Sequence, residues 1–207
     1  MTLDFIKNGP ILFIGCHPDD IELGCGGLIQ RLTNGKKFAV ILSKNKKKVE
    51  QKNLVTESKK SLKTLGFKEK NIIFKDFTTR EFSYSRQEIC DCLWEIKNKI
   101  KPTCIFTTPH DLHQDHQVGN IETQRVFRDK TIFEYELSRS TMYEKPIMFL
   151  SLKENEIKKK IKALNEFKTY KNKNYFQKDN IFSHSKSLGI KQNLKFVEVF
   201  RPITIIV

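Results

Sequence analysis

The 207-residue chain is short of acidic residues, of disulfide-forming patterns and of long apolar runs, and each shortage removes a class of protein. Its five cysteines (Cys16, Cys25, Cys90, Cys92, Cys104) are odd in number and include no Cys-x-x-Cys pair. That argues against a disulfide framework and a cysteine-rich zinc module, so they read as small, reduced core residues. No apolar run approaches the roughly 18 residues of a membrane span, and the opening MTLDFIKNGPILFIG has neither a basic leader nor a small-residue cleavage site. A soluble, cytoplasmic protein with no transmembrane segment is therefore expected. Internal repeats and Gly/Ser linkers are missing and no second core begins anywhere, so residues 1–207 are read as one domain; a homo-oligomer remains compatible with the sequence. The scarce charge is negative: 24 Asp and Glu stand against 38 Lys and Arg, a formal net charge of +14. A basic, non-enzymatic module binding RNA or another polyanion is one reading of that surplus. Against it, the lysines are scattered over helices and loops without aromatic–basic interleaving, and no nucleic-acid partner is expected.

What is present is an alternation of short apolar runs with longer amphipathic ones. Strand-like ILFIG (11–15), KFAVILS (37–43), NIIF (71–74), TCIFTT (103–108), TIFEYE (131–136) and PIMFLSL (146–152) are separated by helical stretches over 21–33, 50–65, 86–101, 117–129 and 153–168. In the third helix Ile89, Leu93, Ile96 and Ile100 form a one-faced stripe that Pro102 ends. Nearly continuous apolar strands joined by helical crossovers predict an α/β, Rossmann-like fold, a mostly parallel sheet with helices on both faces. After 168 the pattern weakens into a polar Tyr/Asn/Lys stretch (169–180) before LKFVEVF and TIIV.

Four of the five histidines fall in two short segments, His17 in CHPDD and His110, His113 and His116 in PHDLHQDH. Each segment directly follows an apolar strand, so in a parallel sheet both emerge at the carboxyl edge, where open α/β folds bind ligands. Taken alone, each reads as a polar loop whose Asp caps the next helix; the coincidence of both on one edge favours chemistry. Imidazoles together with Asp19, Asp20, Asp111 and Asp115 suit a borderline divalent ion such as zinc, and two His plus one carboxylate leave positions open for water and substrate. Adjacent carboxylates cannot easily both face one ion, so one of Asp19 and Asp20 is free to accept a proton. A phosphoester-cleaving two-metal site would need more carboxylates than this cluster offers. The glycines of LGCGG (23–27) form no GxGxxG and read as allowing the first helix to pack close to the sheet. The KNKKK run (44–48) reads as a solvated loop and the isolated His184 as structural.

At these residues the sequence resembles the PIG-L/LmbE-like family of zinc-dependent sugar de-N-acetylases. CHPDDIELGCGG (16–27) matches the family's AHPDDExLGCGG signature, and Pro109 through His116 matches its PxDxHxDH signature. ESKKSLKTLG (57–66), Arg80-Glu81-Phe82, TIFEYE and KFVEVF (195–200) are similar to further family elements, so the likeness spans about residues 11–201. The resemblance implies that His17, Asp20 and His116 bind the metal, zinc or alternatively Fe2+, and that Asp19 is the general base. It also implies that His113 stabilises the tetrahedral oxyanion or protonates the leaving amine, with Asp115 orienting its ring. The implied substrate is a small N-acetylated sugar conjugate, anionic in keeping with the basic chain, with Arg80 and Arg125 as candidate substrate-binding residues. The chain departs from the family pattern at Cys16, where alanine is usual, at Ser43-Lys44-Asn45 after the second strand, and in lacking an arginine shortly before Glu57.

Overall fold

The structure, a computed structural model, describes residues 6, 9–32, 36–45, 52–139 and 148–206. Residues 46–48 of the KNKKK run, and the outer ends of the segments expected at 21–33, 50–65 and 146–152, lie outside them. The elements follow in the order β1 (Ile11–Gly15), α1 (Asp20–Arg31), β2 (Lys37–Ile41), α2 (Leu54–Thr64), β3 (Ile72–Phe74), α3 (Arg86–Ile100), β4 (Cys104–Thr107), α4 (Gln114–Val126), β5 (Thr131–Tyr135), β6 (Met148–Ser151), α5 (Glu154–Leu164), α6 (Lys178–Ile190) and β7 (Val197–Thr204). They form a seven-stranded sheet in the order β3-β2-β1-β4-β5-β7-β6. The first five of these neighbours run parallel, and β7 pairs antiparallel with both β5 and β6.

Strand alternation sorts the apolar residues onto two faces. Ile11, Phe13, Ala39, Ile41, Phe106, Phe133 and Tyr135 pack under α1, α2, α5 and α6, whereas Leu12, Ile14, Val40, Leu42, Ile105 and Ile132 pack under α3 and α4. Phe13, Phe106 and Phe133 occupy matching register on β1, β4 and β5, and their rings stack at 5.1 and 5.2 Å across the sheet. All five cysteines are buried and free. Among the described residues, no helix is long and apolar enough to cross a membrane.

The glycines of α1 are explained by what lies against them. A Cβ at Gly24 would stand 2.1 Å from the Tyr135 ring, one at Gly26 2.7 Å from the Lys160 side chain and one at Gly27 2.5 Å from Leu152. The bare backbone also lets the Glu198 carboxylate reach the N–H groups of Gly27 and Leu28, each at 2.7 Å, while Lys160 donates to the same carboxylate at 2.8 Å. The Tyr135 ring is pinned through its hydroxyl to the Ile14 carbonyl at 2.8 Å, so it cannot swing away. Gly24→Ala gains about 1 kcal/mol in helix propensity but forces an overpacked contact costing about 3 kcal/mol. A net loss of about 2 kcal/mol is expected, read as a lower urea midpoint at unchanged slope.

Candidate metal centre

Strands β1 and β4 are neighbours, yet α1 leads from β1 towards β2 on one side and α4 leads from β4 towards β5 on the other. The loops at their carboxyl ends diverge, leaving the crevice in which such sheets bind ligands. His17 and Asp19 enter it from the first loop and Asp20 from the start of α1, Asp111 and His113 from the second loop and Asp115 and His116 from the first turn of α4. The helix after β4 begins at Gln114, three residues earlier than its apolar pattern suggests, because His113 is its N-cap: the Asp115 N–H donates to His113 Nδ1 at 3.2 Å. His116 therefore sits in the first helical turn.

One nitrogen of each of the His17 and His116 imidazoles is committed to a carboxylate. His17 Nε2 lies 2.9 Å from Asp115 Oδ2 and His116 Nδ1 lies 2.9 Å from Asp111 Oδ2. These contacts leave His17 Nδ1 and His116 Nε2 facing the same oxygen, Asp20 Oδ2, at 3.7 and 3.6 Å. The His17 N–H steadies that oxygen at 2.8 Å. His116 Nε2 is buried with no hydrogen-bond partner among the described residues. Two donors each about 2.0–2.2 Å from one tetrahedral ion stand about 3.4 Å apart, and His17 and His116 each place a nitrogen only slightly farther than that from the shared Asp20 oxygen. Their bonds to Asp111 and Asp115 are the outer-shell carboxylates that fix tautomer and ring orientation in such sites. His113 joins the group less closely: one ligand atom from each of His17, His113 and His116 lies within 4.8 Å of the others. Its ring stacks on His116 at 4.5 Å and remains partly open to solvent.

The electrostatics describe a spot built for positive charge. Burial opposes ionisation of Asp20, but His116 and His17 outweigh it and hold its carboxyl down at about 2. Burial likewise opposes the charged His116 ring, yet Asp20 and Asp111 push it up to about 10. Asp19 is driven the other way: burial and the Asp20 charge raise it well above the carboxylate range, against Lys173 and Arg139. Its backbone adopts φ 119°, a region a non-glycine residue enters only under surrounding constraint. Burial and the charges of His116 and His17 lower His113 to about 4, and its ring stays neutral.

Two expectations need correction. The Asp115 carboxylate does not orient His113. It takes His17 together with the backbone N–H groups of Arg80 (2.7 Å) and Phe82 (3.4 Å), and touches His113 only through its own N–H. Arg125 is not at the active edge. α4 starts there and runs down across the sheet, so nine residues carry Arg125 about 14 Å beyond His116, where it pairs with Glu122 at 3.5 Å. Arg80 reaches the centre through its backbone, at φ 67°, while its side chain is exposed. Asp111 is the partner of His116, and Asn45, Arg139, Tyr170, Lys173 and Tyr175 gather at the same edge without a sequence motif that marks them. His184 is tied to Glu136 at 2.9 Å, in keeping with a structural role.

The sequence profile of the family described as GlcNAc-PI de-N-acetylase, PIG-L, matches residues 12–126, more than half of the chain and all of the centre described above. The chain belongs to the PIG-L family. A relative from Escherichia coli K12, the uncharacterized deacetylase YaiS, is 30% identical over 178 residues, covering 79% of this chain and 92% of its own. Among solved structures of the same fold, the N,N'-diacetylchitobiose deacetylase of Pyrococcus horikoshii superposes with a TM-score of 0.79 at 20% identity, covering 97% of this PIG-L chain and 86% of its own. The zinc-inhibited form of a teicoplanin deacetylase superposes with a TM-score of 0.74 at 11% identity, covering 93% and 97%.

Proposed function

We propose that residues 1–207 act as one metal-dependent hydrolase that removes an N-acyl group, acetyl, from an amino-sugar conjugate, releasing the free amine and a carboxylate. The observation that carries this reading is the convergence of His17 Nδ1 and His116 Nε2 on Asp20 Oδ2, with each ring's other nitrogen held by a carboxylate. Membership of the PIG-L family and the deacetylase relatives support the same reaction. His17, Asp20 and His116 would hold the ion, and a nitrogen- and oxygen-donor set of this kind suits Zn2+, with Fe2+ as the second choice. When bound, such an ion supplies a Lewis acid that polarises the acyl oxygen and makes water more acidic.

The remaining chemistry belongs to side chains. Asp19, made more basic by burial and by Asp20, accepts a proton from the attacking water. With Nδ1 of His113 accepting the Asp115 N–H, the neutral ring keeps its hydrogen on Nε2 and hydrogen-bonds through it to the oxyanion as the tetrahedral centre forms. The proton gathered on Asp19 then passes to the departing amine. Arg80, exposed beside the centre, contacts the sugar conjugate. The five buried, unpaired thiols suit the reducing cytoplasm, where we place the enzyme.

The test is acetate release from a panel of N-acetylglucosamine conjugates by zinc-loaded protein. Release that a chelator abolishes and added zinc restores is expected. A loaded, folded protein that liberates acetate from none of them sinks the reading.

A further inference from the structure

The carboxyl edge holds a second group of side chains that the hydrolytic chemistry leaves unused. Ser43–Asn45 continue from β2, with Ser43 N–H bonded to the Cys16 carbonyl at 3.0 Å beside His17, and Arg139 follows the end of β5. The segment 168–176 is bonded to both: Asn45 Nδ2 donates to the Tyr170 hydroxyl at 3.2 Å, and Arg139 Nη1 to the Tyr175 hydroxyl at 3.1 Å. Tyr170 is firmly seated. It is buried, its ring packs on Phe167 and Phe176, and the preceding Thr169 donates its N–H and hydroxyl to the buried Glu57 of α2 at 3.1 Å each.

These rings carry cations. Lys173 Nζ stands 3.2 Å from the Tyr170 centroid and 5.5 Å from that of Tyr175, while the Arg139 guanidinium carbon is 4.5 Å from the Tyr175 centroid. Among the described residues neither cation forms an ion pair, and each is close enough to the other for their like charges to oppose. The carboxylate whose charge reaches both is Asp19. Burial and the Arg139 charge together lower Lys173.

We propose that Arg139 and Lys173, seated on Tyr175 and Tyr170, form a subsite for a phosphate group carried by the amino sugar whose acyl group is removed beside Asp19. This rests on the deacetylase reading above and names the substrate class for it. A phosphate answers both cations at once, the planar guanidinium fork and the ammonium being standard partners for its oxygens. A neutral sugar would leave the two like charges opposed, with only the more distant Asp19 carboxylate reaching both. Holding the cations on aromatic faces fixes them in place before binding, so less ordering is lost when the phosphate arrives.

The experiment uses the zinc-loaded full chain with N-acetylglucosamine 1-phosphate and N-acetylglucosamine as paired substrates. In parallel, calorimetry measures binding of the products, glucosamine 1-phosphate and glucosamine. Wild type should favour the phosphorylated sugar. Lys173→Gln and Arg139→Gln should each lower the phosphorylated-to-neutral ratio of kcat/KM by about tenfold, through KM, and weaken glucosamine 1-phosphate binding by a similar factor. A ratio that neither substitution moves, or product binding shifted by less than about twofold in both variants, overturns the subsite. Two further arms, a nucleoside-diphosphate-linked and a detergent-dispersed lipid-phosphate-linked N-acetylglucosamine, identify the group on the phosphate's other side; the preferred one must show the same dependence on Lys173 and Arg139. Binding of glucosamine 1-phosphate through these residues without acetate release from any sugar would overturn the deacetylase reading and leave the subsite standing. Release without that dependence would do the reverse.

Discussion

His116→Ala is expected to empty the centre: protein purified in zinc should fall from about one bound equivalent to background, and acetate release should fall by about 10³-fold or more. Two consequences of the substitution act together. The buried nitrogen facing Asp20 disappears, and so does the ring that helps to hold Asp20 ionised and pairs with Asp111. Losing an ion that contributes several kcal/mol of transition-state stabilisation corresponds to that rate factor. The substitution also leaves Asp111 without its ring partner in a fully buried position, which costs about 1–3 kcal/mol of stability. Asp20→Asn separates the effects, because it keeps the volume and both imidazoles while removing the anionic ligand. Full metal content and undiminished rate in Asp20→Asn, in protein of native circular dichroism, would overturn the assigned ligand set.

Asp19→Asn should behave differently: metal content stays at about one equivalent while kcat falls by about 10²–10⁴-fold, the range a positioned general base contributes. Asparagine keeps the shape of the side chain and tolerates positive φ about as well as aspartate does, so the turn that places Asp20 should survive. The Leu23 N–H to Asp19 carbonyl bond, 2.9 Å, belongs to the backbone and is untouched. Equal rates for Asp19→Asn and wild type, at equal zinc content, would remove Asp19 from the reaction.

Much of this was legible in the chain because the same signal repeats. Two apolar strands each run straight into a His/Asp cluster, and parallel pairing then forces both clusters to one edge. What a side chain does once there depends on direction across long separations. Asp115 serves His17, 98 residues away, and not its near neighbour His113, because the N-cap turn aims the His113 ring at the backbone instead. α6 gave little apolar periodicity, since its buried stripe is Ile181, Ser185 and Gly189, two of them small or polar. VEVF (197–200) of LKFVEVF continues through Arg201-Pro202 to Thr204 as one strand: Arg201-Pro202 interrupts its apolar pattern, and the ladder to β5 shifts register near Phe133, opposite Pro202. The Tyr/Lys stretch after 168 shows no period of its own because Glu57, Asn45 and Arg139, distant in sequence, supply its order.

Glu198 ties the first helix to the last strand, and that bond sets an order of events during synthesis. The N–H groups of Gly27 and Leu28, already inside a helix, gain the Glu198 oxygens only when a residue about 170 positions later has been translated. Until then the helix that presents Asp20 lacks its clamp, and the Lys160 ammonium beside it lacks its counter-charge. A nascent chain on the ribosome thus carries its HPDD segment early but gains this long-range clamp only after residue 198 has been made.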